Sequence, residues 1–68
     1  MKRSPRKDPI AGDVIKNPYS THTVLTVMDG IVHYMDDGLM DYVPLDKWRK
    51  WYVGDKKSKV LRAVGESK

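Results

Sequence analysis

The dipeptide Asp29-Gly30 is the feature that most constrains how this chain folds, because it separates two runs rich in β-branched residues, 22–28 and 31–36. Asp-Gly between such runs is among the strongest signals for a two-residue β-hairpin, since both of its residues tolerate the positive φ angles of a type I′ turn. The turn sets the register, so that Val27 opposes Val32. We therefore predict a hairpin whose side chains alternate between an inner and an outer face.

A second turn, at residues 36–38, leads into a third strand. A two-residue loop at Asp37-Gly38 would place Asp41 opposite Tyr34, which puts a carboxylate on the inner, apolar face. We therefore expect a three-residue loop with Gly38 in the left-handed conformation, because a slip of one residue moves every side chain to the other face. The expected inner face consists of Leu25, Val27, Val32, Tyr34, Met40 and Tyr42.

The outer face of the same strands is unusually apolar for a surface that meets water. His33 and Asp41 are expected to oppose each other on it, but most of its other residues are apolar. Contiguous apolar surfaces mark interaction sites, and methionine-rich ones adapt to their partners. Either the register differs from the predicted one, or residues 56–64 cover this face, or it is an interface for a partner protein or for a homodimer. Of these we predict the interface. Its residues are Val24, Met28, Ile31, Met35, Leu39 and Val43.

Three further elements complete the expected domain. Residues 13–15 form a short first strand, and the apolar spacing within 45–52 predicts one or two helical turns with Trp48 in the core. Residues 59–64 alternate as a closing strand, with a helical extension over 56–64 as the alternative. The elements together predict a mainly β domain, a small and partly open barrel of four or five antiparallel strands with a short helical turn.

The length of 68 residues allows one small domain, and the chain has no cysteine, which excludes a disulfide scaffold and a cysteine-based zinc site. We expect a disordered basic arm at 1–9, the folded domain at 10–64 and a frayed tail at 65–68. Neither a membrane-spanning run nor an apolar segment typical of a signal peptide is present, so we expect a cytoplasmic protein that does not bind membranes.

Charge is distributed unevenly around a net value of +4 and a pI near 9.5. Residues 1–7 carry +4, residues 8–46 carry −6 and residues 47–68 carry +6. Two basic ends around an acidic middle indicate a nucleic acid or another polyanion as partner, without deciding between DNA and RNA. Trp51 joins the basic candidates because it and Tyr52 cannot both face inward from one helical turn, and an exposed ring can stack on bases. The predicted nucleic-acid-binding residues are Lys2, Arg3, Arg6, Lys7, Lys47, Arg49, Lys50, Trp51, Lys56, Lys57, Lys59 and Arg62.

The order of elements resembles that of SH3-like β-barrels of the KOW, Tudor and chromo kind. The resemblance rests on the strand after Gly12, the Asp29-Gly30 hairpin, the third strand and the run Val43-Pro44-Leu45 before a short helix. It covers residues 10–53 and extends to 64 if the closing strand forms. Barrels of this kind bind nucleic acids, methylated lysine or arginine, or proteins, so the resemblance does not choose among these functions. The small size and basic charge are also similar to those of phage- or plasmid-encoded accessory proteins.

We expect neither an enzyme nor a bound metal or cofactor. The histidines and aspartates match no metal-binding spacing, and no glycine-rich phosphate loop or nucleophile–base pair is present. A plasmid-borne dihydrofolate reductase of this fold carries Val-Gln-Ile-Tyr in its third strand, and residues 39–42 share only the tyrosine. An aromatic cage for a methylated cation would require rings to converge, and the candidates are Tyr19, Tyr34, Tyr42 and Trp48.

Two functions therefore remain open at the level of sequence. The first is a small nucleic-acid-binding barrel that uses its basic C-terminal segment and basic arm, and it predicts binding that weakens steeply with salt. The second is a protein-interaction module or inhibitor that binds through the apolar sheet face, and it predicts association that tolerates salt.

Overall fold

The computed structural model describes residues 4–65. They form a five-stranded antiparallel sheet and one short helix, which confirms the mainly β fold. The strands lie in the order β4-β3-β2-β1-β5. Among the described residues, no helix is long and apolar enough to cross a membrane. The elements in chain order are β1 (Val14–Lys16), β2 (Thr21–Met28), β3 (Ile31–Asp36), β4 (Leu39–Pro44), α1 (Leu45–Tyr52) and β5 (Lys59–Arg62).

The hairpin between β2 and β3 has the predicted turn, with Asp29 and Gly30 at φ angles of 52° and 73°. Counted from the turn, the pairing follows the prediction as far as Thr26 opposite His33. Beyond that pair it shifts, because Leu25 is an extra residue in β2 and Val24 opposes Tyr34. Such a β-bulge reverses the faces of the residues beyond it. The assignment of Val24 to the outer interface was therefore wrong, since its side chain lies in the core and is only 1% exposed. Leu25, expected inside, is exposed.

The predicted three-residue loop between β3 and β4 was also wrong. Asp37 and Gly38 form a two-residue turn, with φ angles of 49° and 93°, and Tyr34 does oppose Asp41. This register is tolerated because Asp41 lies on an edge strand with its side chain exposed, so the carboxylate keeps its water.

The shorter loop exchanges the two faces of β4. Val43, expected in the outer interface, opposes Val32 and belongs to the core. Met40 and Tyr42, expected inside, are 74% and 68% exposed. His33 opposes Tyr42 instead of Asp41, and their rings lie 6.1 Å apart between centroids.

Helix α1 begins directly after Pro44 and closes the inner face of the sheet. Trp48 and Tyr52 are one helical turn apart and both are buried, whereas Trp51 is partly exposed. These positions confirm the prediction that Trp48 is a core residue and that one of the two following aromatic residues faces solvent. The buried apolar core comprises Ile15, Val24, Val32, Tyr34, Val43, Trp48 and Tyr52.

The segment after α1 forms the predicted closing strand, and the helical alternative for 56–64 is not observed. Strand β5 pairs with β1 at the edge of the sheet opposite β4. The buried side chain of Asp13 joins this edge to the end of the domain, because its two carboxylate oxygens accept hydrogen bonds from the backbone N–H groups of Ile10 and Val64.

Residues 4–9, which belong to the segment expected to be a disordered arm, lie against α1 and the loop after it. Pro5 and Pro9 are buried, and the carbonyl oxygen of Pro5 accepts a hydrogen bond from Nε1 of Trp48. Residues 1–3 of that arm, and residues 66–68 of the expected frayed tail, lie outside the described residues.

Candidate nucleic-acid interface

The sheet separates charge between its two edges. The β3–β4 hairpin carries Asp36, Asp37 and Asp41 and neither lysine nor arginine. The opposite edge, formed by β1, β5 and the loop before β5, combines one acidic residue, Asp55, with five exposed basic residues. These are Lys16, Lys56, Lys57, Lys59 and Arg62. Separation of this kind gives a polyanion one preferred side of the molecule.

Two of the predicted cationic residues are engaged within the protein. The guanidinium of Arg6 donates hydrogen bonds to the carbonyl oxygens of Tyr52, Asp55 and Ser58, and to the hydroxyl of Ser58. Arg49 donates to the carbonyl oxygen of Lys7 and forms a 3.1 Å ion pair with Asp8. These two arginines hold the N-terminal segment in place.

The remaining predicted cations within the described residues lie on the helix, in the N-terminal segment and at the edge formed by β1, β5 and the loop before β5, which we call the basic edge. Lys47 and Lys50 are exposed on α1, and Lys7 is exposed in the N-terminal segment. Lys2 and Arg3 lie outside the described residues, so their predicted contacts with nucleic acid stay predictions.

Three lysines of the basic edge line one small concavity. Lys16 and Lys59 oppose each other across the β1–β5 pairing, and Lys57 approaches from the preceding loop. Together with Asn17 and Pro18 they enclose about 190 Å³. Like charges this close repel each other, and a phosphate group between them would relieve the repulsion.

A larger aromatic pocket of about 340 Å³ adjoins this lysine concavity, and the two share Lys57, Asn17 and Pro18. The β1–β2 loop, the end of α1 and the loop before β5 each contribute to it. Its inner lining includes the buried rings of His22 and Tyr52. Its other residues are Asn17, Pro18, Tyr19, Trp51, Asp55 and Lys57.

The β1–β2 loop is shaped by Asn17, whose side-chain oxygen accepts hydrogen bonds from the backbone N–H groups of Tyr19 and Ser20 at 2.8 Å each. This is a common role for asparagine in turns. The loop leaves the Tyr19 side chain 92% exposed. Trp51, on α1, is 41% exposed. The pocket therefore carries two accessible rings from segments far apart in the chain.

The lining below these rings is an ordered chain of hydrogen bonds. The two bonds to its oxygen orient the Asn17 amide so that its nitrogen faces Tyr52. That nitrogen donates a hydrogen bond to the hydroxyl of Tyr52 at 3.3 Å. The hydroxyl of Tyr52 also makes a hydrogen bond with Nδ1 of His22, and Nε2 of His22 lies 3.1 Å from the hydroxyl of Ser20. In the neutral tautomer that carries its hydrogen on Nε2, Tyr52 donates to Nδ1 and Nε2 donates to Ser20.

The protonation of these groups follows from their burial. Desolvation lowers the pKa of His22 below its ordinary value, although the carboxylate of Asp36 opposes this shift. Burial also raises the pKa of Tyr52 to about 12, against the smaller opposing effect of the hydrogen bond from Asn17. The pocket thus presents uncharged aromatic groups at neutral pH, and its charge comes from Asp55 and Lys57.

Sequence reasoning found Trp51 and Lys57 but missed Tyr19 and Lys16 as members of this surface. Tyr19 could have been found because it lies in the polar loop Asn17-Pro18-Tyr19-Ser20, where an aromatic side chain is expected to be exposed. Lys16 was overlooked because it lies within the acidic middle of the chain, although the β1–β5 pairing brings it beside the basic C-terminal segment.

The predicted protein interface is only partly assembled. Val24 and Val43 are core residues, Ile31 and Met35 are half-buried, and Met28 and Leu39 are exposed. The alternation of β4 places Met40 and Tyr42 on the same outer side as Met35 and His33. An exposed apolar surface therefore remains, in which Met40 and Tyr42 take the place of Val24 and Val43.

Neither a metal site nor the aromatic cage considered from the sequence is assembled in residues 4–65. No group of three or more metal-binding side chains occurs among them. Tyr34 and Trp48 are buried, and Tyr42 lies beside His33 on the outer face, so the four cage candidates do not surround one exposed point.

The chain matches no protein-family model, no curated protein and no solved structure. Its function is therefore inferred from the residues of the surface itself.

Proposed function

We propose that this protein is a small, non-enzymatic nucleic-acid-binding domain that contacts its ligand through the basic edge formed by β1, β5 and the loop before β5. The observation that carries the proposal is the concavity lined by Lys16, Lys57 and Lys59, which adjoins a pocket with the accessible rings of Tyr19 and Trp51. Lysines that neutralise phosphates beside rings that stack on bases are the common elements of nucleic-acid-binding surfaces.

We propose also that the sheet curves into an SH3-like, partly open barrel. The strand order supports this architecture, because the short helix lies between β4 and β5, and β5 returns to pair with β1. In such an arrangement the β1–β2 loop and the loop before β5 lie side by side, which agrees with their shared lining of the aromatic pocket.

The proposal is tested by fluorescence anisotropy with labelled single-stranded and duplex oligonucleotides over a series of salt concentrations. The double variant Lys57→Ala/Lys59→Ala should bind more weakly and lower the slope of log affinity against log salt by about 1.5, because two phosphate contacts are lost. Lys47→Ala/Lys50→Ala is the matched control, since it removes the same charge from exposed helix positions outside both cavities.

A smaller effect in the control pair supports the basic edge as the site. Equal effects in both pairs would mean that overall charge attracts the nucleic acid and that no particular surface binds it. Absence of binding to either oligonucleotide at low salt would refute the proposed function.

The exposed apolar outer face supports a second candidate function, which is association with a protein. Met40 and Tyr42 are the observation in its favour, because large side chains rarely stay so exposed side by side without a partner. Sedimentation in high salt tests for a homodimer, and Met40→Ser/Tyr42→Ser should dissociate one. A salt-resistant dimer that this variant leaves intact would place the interface elsewhere.

A further inference from the structure

We infer that the aromatic pocket accepts one unstacked base, so that the ligand is a single-stranded nucleic acid whose phosphates continue over the lysine concavity. This inference rests on the proposed function and specifies its ligand. Its structural basis is Lys57, which lines both cavities and so places a phosphate-binding ammonium group beside the aromatic lining.

The size and lining of the pocket suit a planar ring. Its volume of about 340 Å³ lies within the range of roughly 300–1,000 Å³ that is typical of small-molecule sites. The buried rings of His22 and Tyr52 form its inner lining, and the exposed residues Tyr19 and Trp51 line it as well. Aromatic side chains bind bases of any sequence by stacking, because every base has a π face.

The surrounding charge favours a nucleotide over a cationic ligand. Aromatic rings alone would also attract a methylated ammonium group. Here, however, Lys57 lines the pocket, and Lys16 and Lys59 lie in the adjoining concavity, so a cation would be repelled. The acidic group in the lining, Asp55, is outnumbered by these three lysines. A ligand with an uncharged ring and an adjacent anion satisfies both cavities.

The same geometry disfavours duplex ligands. Bases within a duplex are stacked and paired, and placing one in a protein pocket requires it to leave the stack at a cost of a few kcal/mol. A single strand presents its bases without that cost. We therefore expect tighter binding to a single strand than to a duplex of the same length and sequence.

The test uses three labelled probes of equal length, about 12 nucleotides. These are single-stranded oligothymidylate, its duplex with oligodeoxyadenylate, and an abasic strand that keeps the phosphates. The oligothymidylate should bind about tenfold more tightly than the abasic strand. In Tyr19→Ala the affinity for oligothymidylate should fall severalfold and the difference between the two strands should shrink, because one of the two accessible aromatic residues is lost while Trp51 remains.

Tyr19 suits this test because its side chain is almost fully exposed, so its removal leaves the core intact. Tyr19→Phe should retain the affinity, because the ring is kept. Tyr42→Ala is the matched control, as it removes an exposed tyrosine from the outer face. Quenching of tryptophan fluorescence gives a second readout, since Trp48 is buried and Trp51 is accessible.

Each outcome separates the inference from the function on which it rests. Equal binding of the abasic and intact strands, or equal binding of duplex and single strand, would overturn the base pocket. Dependence on Lys57 and Lys59 would in that case still support nucleic-acid binding. Absence of binding to all three probes at low salt would refute both.

Discussion

Nε1 of Trp48 donates a hydrogen bond to the carbonyl oxygen of Pro5 at 3.0 Å, although 43 positions separate the two residues. Trp48 is fully buried, so this bond satisfies a donor that would otherwise be desolvated without a partner. The N-terminal segment from Ser4 to Pro9 therefore contributes to the fold. Within this segment Arg6 is engaged in hydrogen bonds with the protein, whereas Lys7 is exposed. The two residues are therefore not equivalent as contacts for a nucleic acid.

Arg6 and Lys7 test this difference with a matched pair of substitutions. Arg6→Ala removes the bonds to the carbonyl oxygens of Tyr52, Asp55 and Ser58, and we expect it to lower the free energy of unfolding by about 1–3 kcal/mol. Lys7→Ala makes the same change in net charge at an exposed position and should leave stability nearly unchanged. Chemical denaturation followed by tryptophan fluorescence measures both. Equal stability of the two variants would show that the Arg6 contacts contribute nothing.

Asp13 is the second position at which a polar side chain holds distant segments together. Asp13→Ala leaves the N–H groups of Ile10 and Val64 without their acceptor, and we expect a loss of about 2–4 kcal/mol. Asp13→Asn keeps one acceptor oxygen and should lose less. Thermal unfolding followed by circular dichroism distinguishes the two variants, and an asparagine variant no more stable than the alanine variant would contradict this explanation.

Gly12 combines a left-handed backbone with a close neighbour. At a φ of 96°, a Cβ on this residue would lie 2.8 Å from Cγ2 of Val64. Gly12→Ala should therefore lose more than the roughly 1 kcal/mol that alanine costs in this conformation alone. Gly38→Ala is the control, because its φ is 93° and a Cβ there meets nothing within 4 Å. If both variants have the same unfolding midpoint in urea, the contact with Val64 has no energetic effect.

The buried His22 predicts how stability depends on pH. Its pKa is lowered in the folded protein by burial, so the unfolded chain binds a proton at a higher pH than the folded chain does. Between the lowered value and the ordinary value of 6.5, the unfolded state binds more protons, and stability decreases as pH falls. Above that range the imidazole is neutral in both states, and the full stability is present.

The measurement compares urea unfolding at about pH 7.5 and about pH 5.5. We expect His22→Gln to reduce the loss of stability on acidification, because it removes the proton uptake. His33→Gln is the control, since that histidine lies on the outer face beside Tyr42. The nearby carboxylates of Asp36, Asp37 and Asp41 favour the protonated imidazole and limit the effect. A pH dependence unchanged by His22→Gln would exclude this residue as its source.

Local sequence patterns predicted the elements that depend on neighbouring residues. The Asp29-Gly30 turn, the helix with Trp48 inside and the closing strand β5 were all found, because turn residues and apolar spacing act within a few positions. The register of β4 was not predicted, because we assumed that every position on the inner face is buried away from water. Asp41 lies on an edge strand, where the carboxylate stays hydrated.

The bulge at Leu25 is also determined by tertiary packing. A regular pairing would have buried Leu25, and the extra residue in β2 buries Val24 beside Tyr34 instead. Which of two adjacent apolar residues enters the core depends on how α1 and the sheet fill the space between them. That competition involves residues far apart in the chain and leaves no local signal.

By itself the sequence determined the mainly β class, the Asp29-Gly30 turn, the short helix and the separation of charge along the chain, since composition and spacing suffice for these. Only the tertiary structure decided that Tyr19, Trp51 and Lys57 meet at one pocket and that Lys16 joins the basic edge. These residues come from separate segments that the β1–β5 pairing and the burial of α1 bring together. Convergence of that kind is a property of long-range packing, which no local pattern of residues encodes.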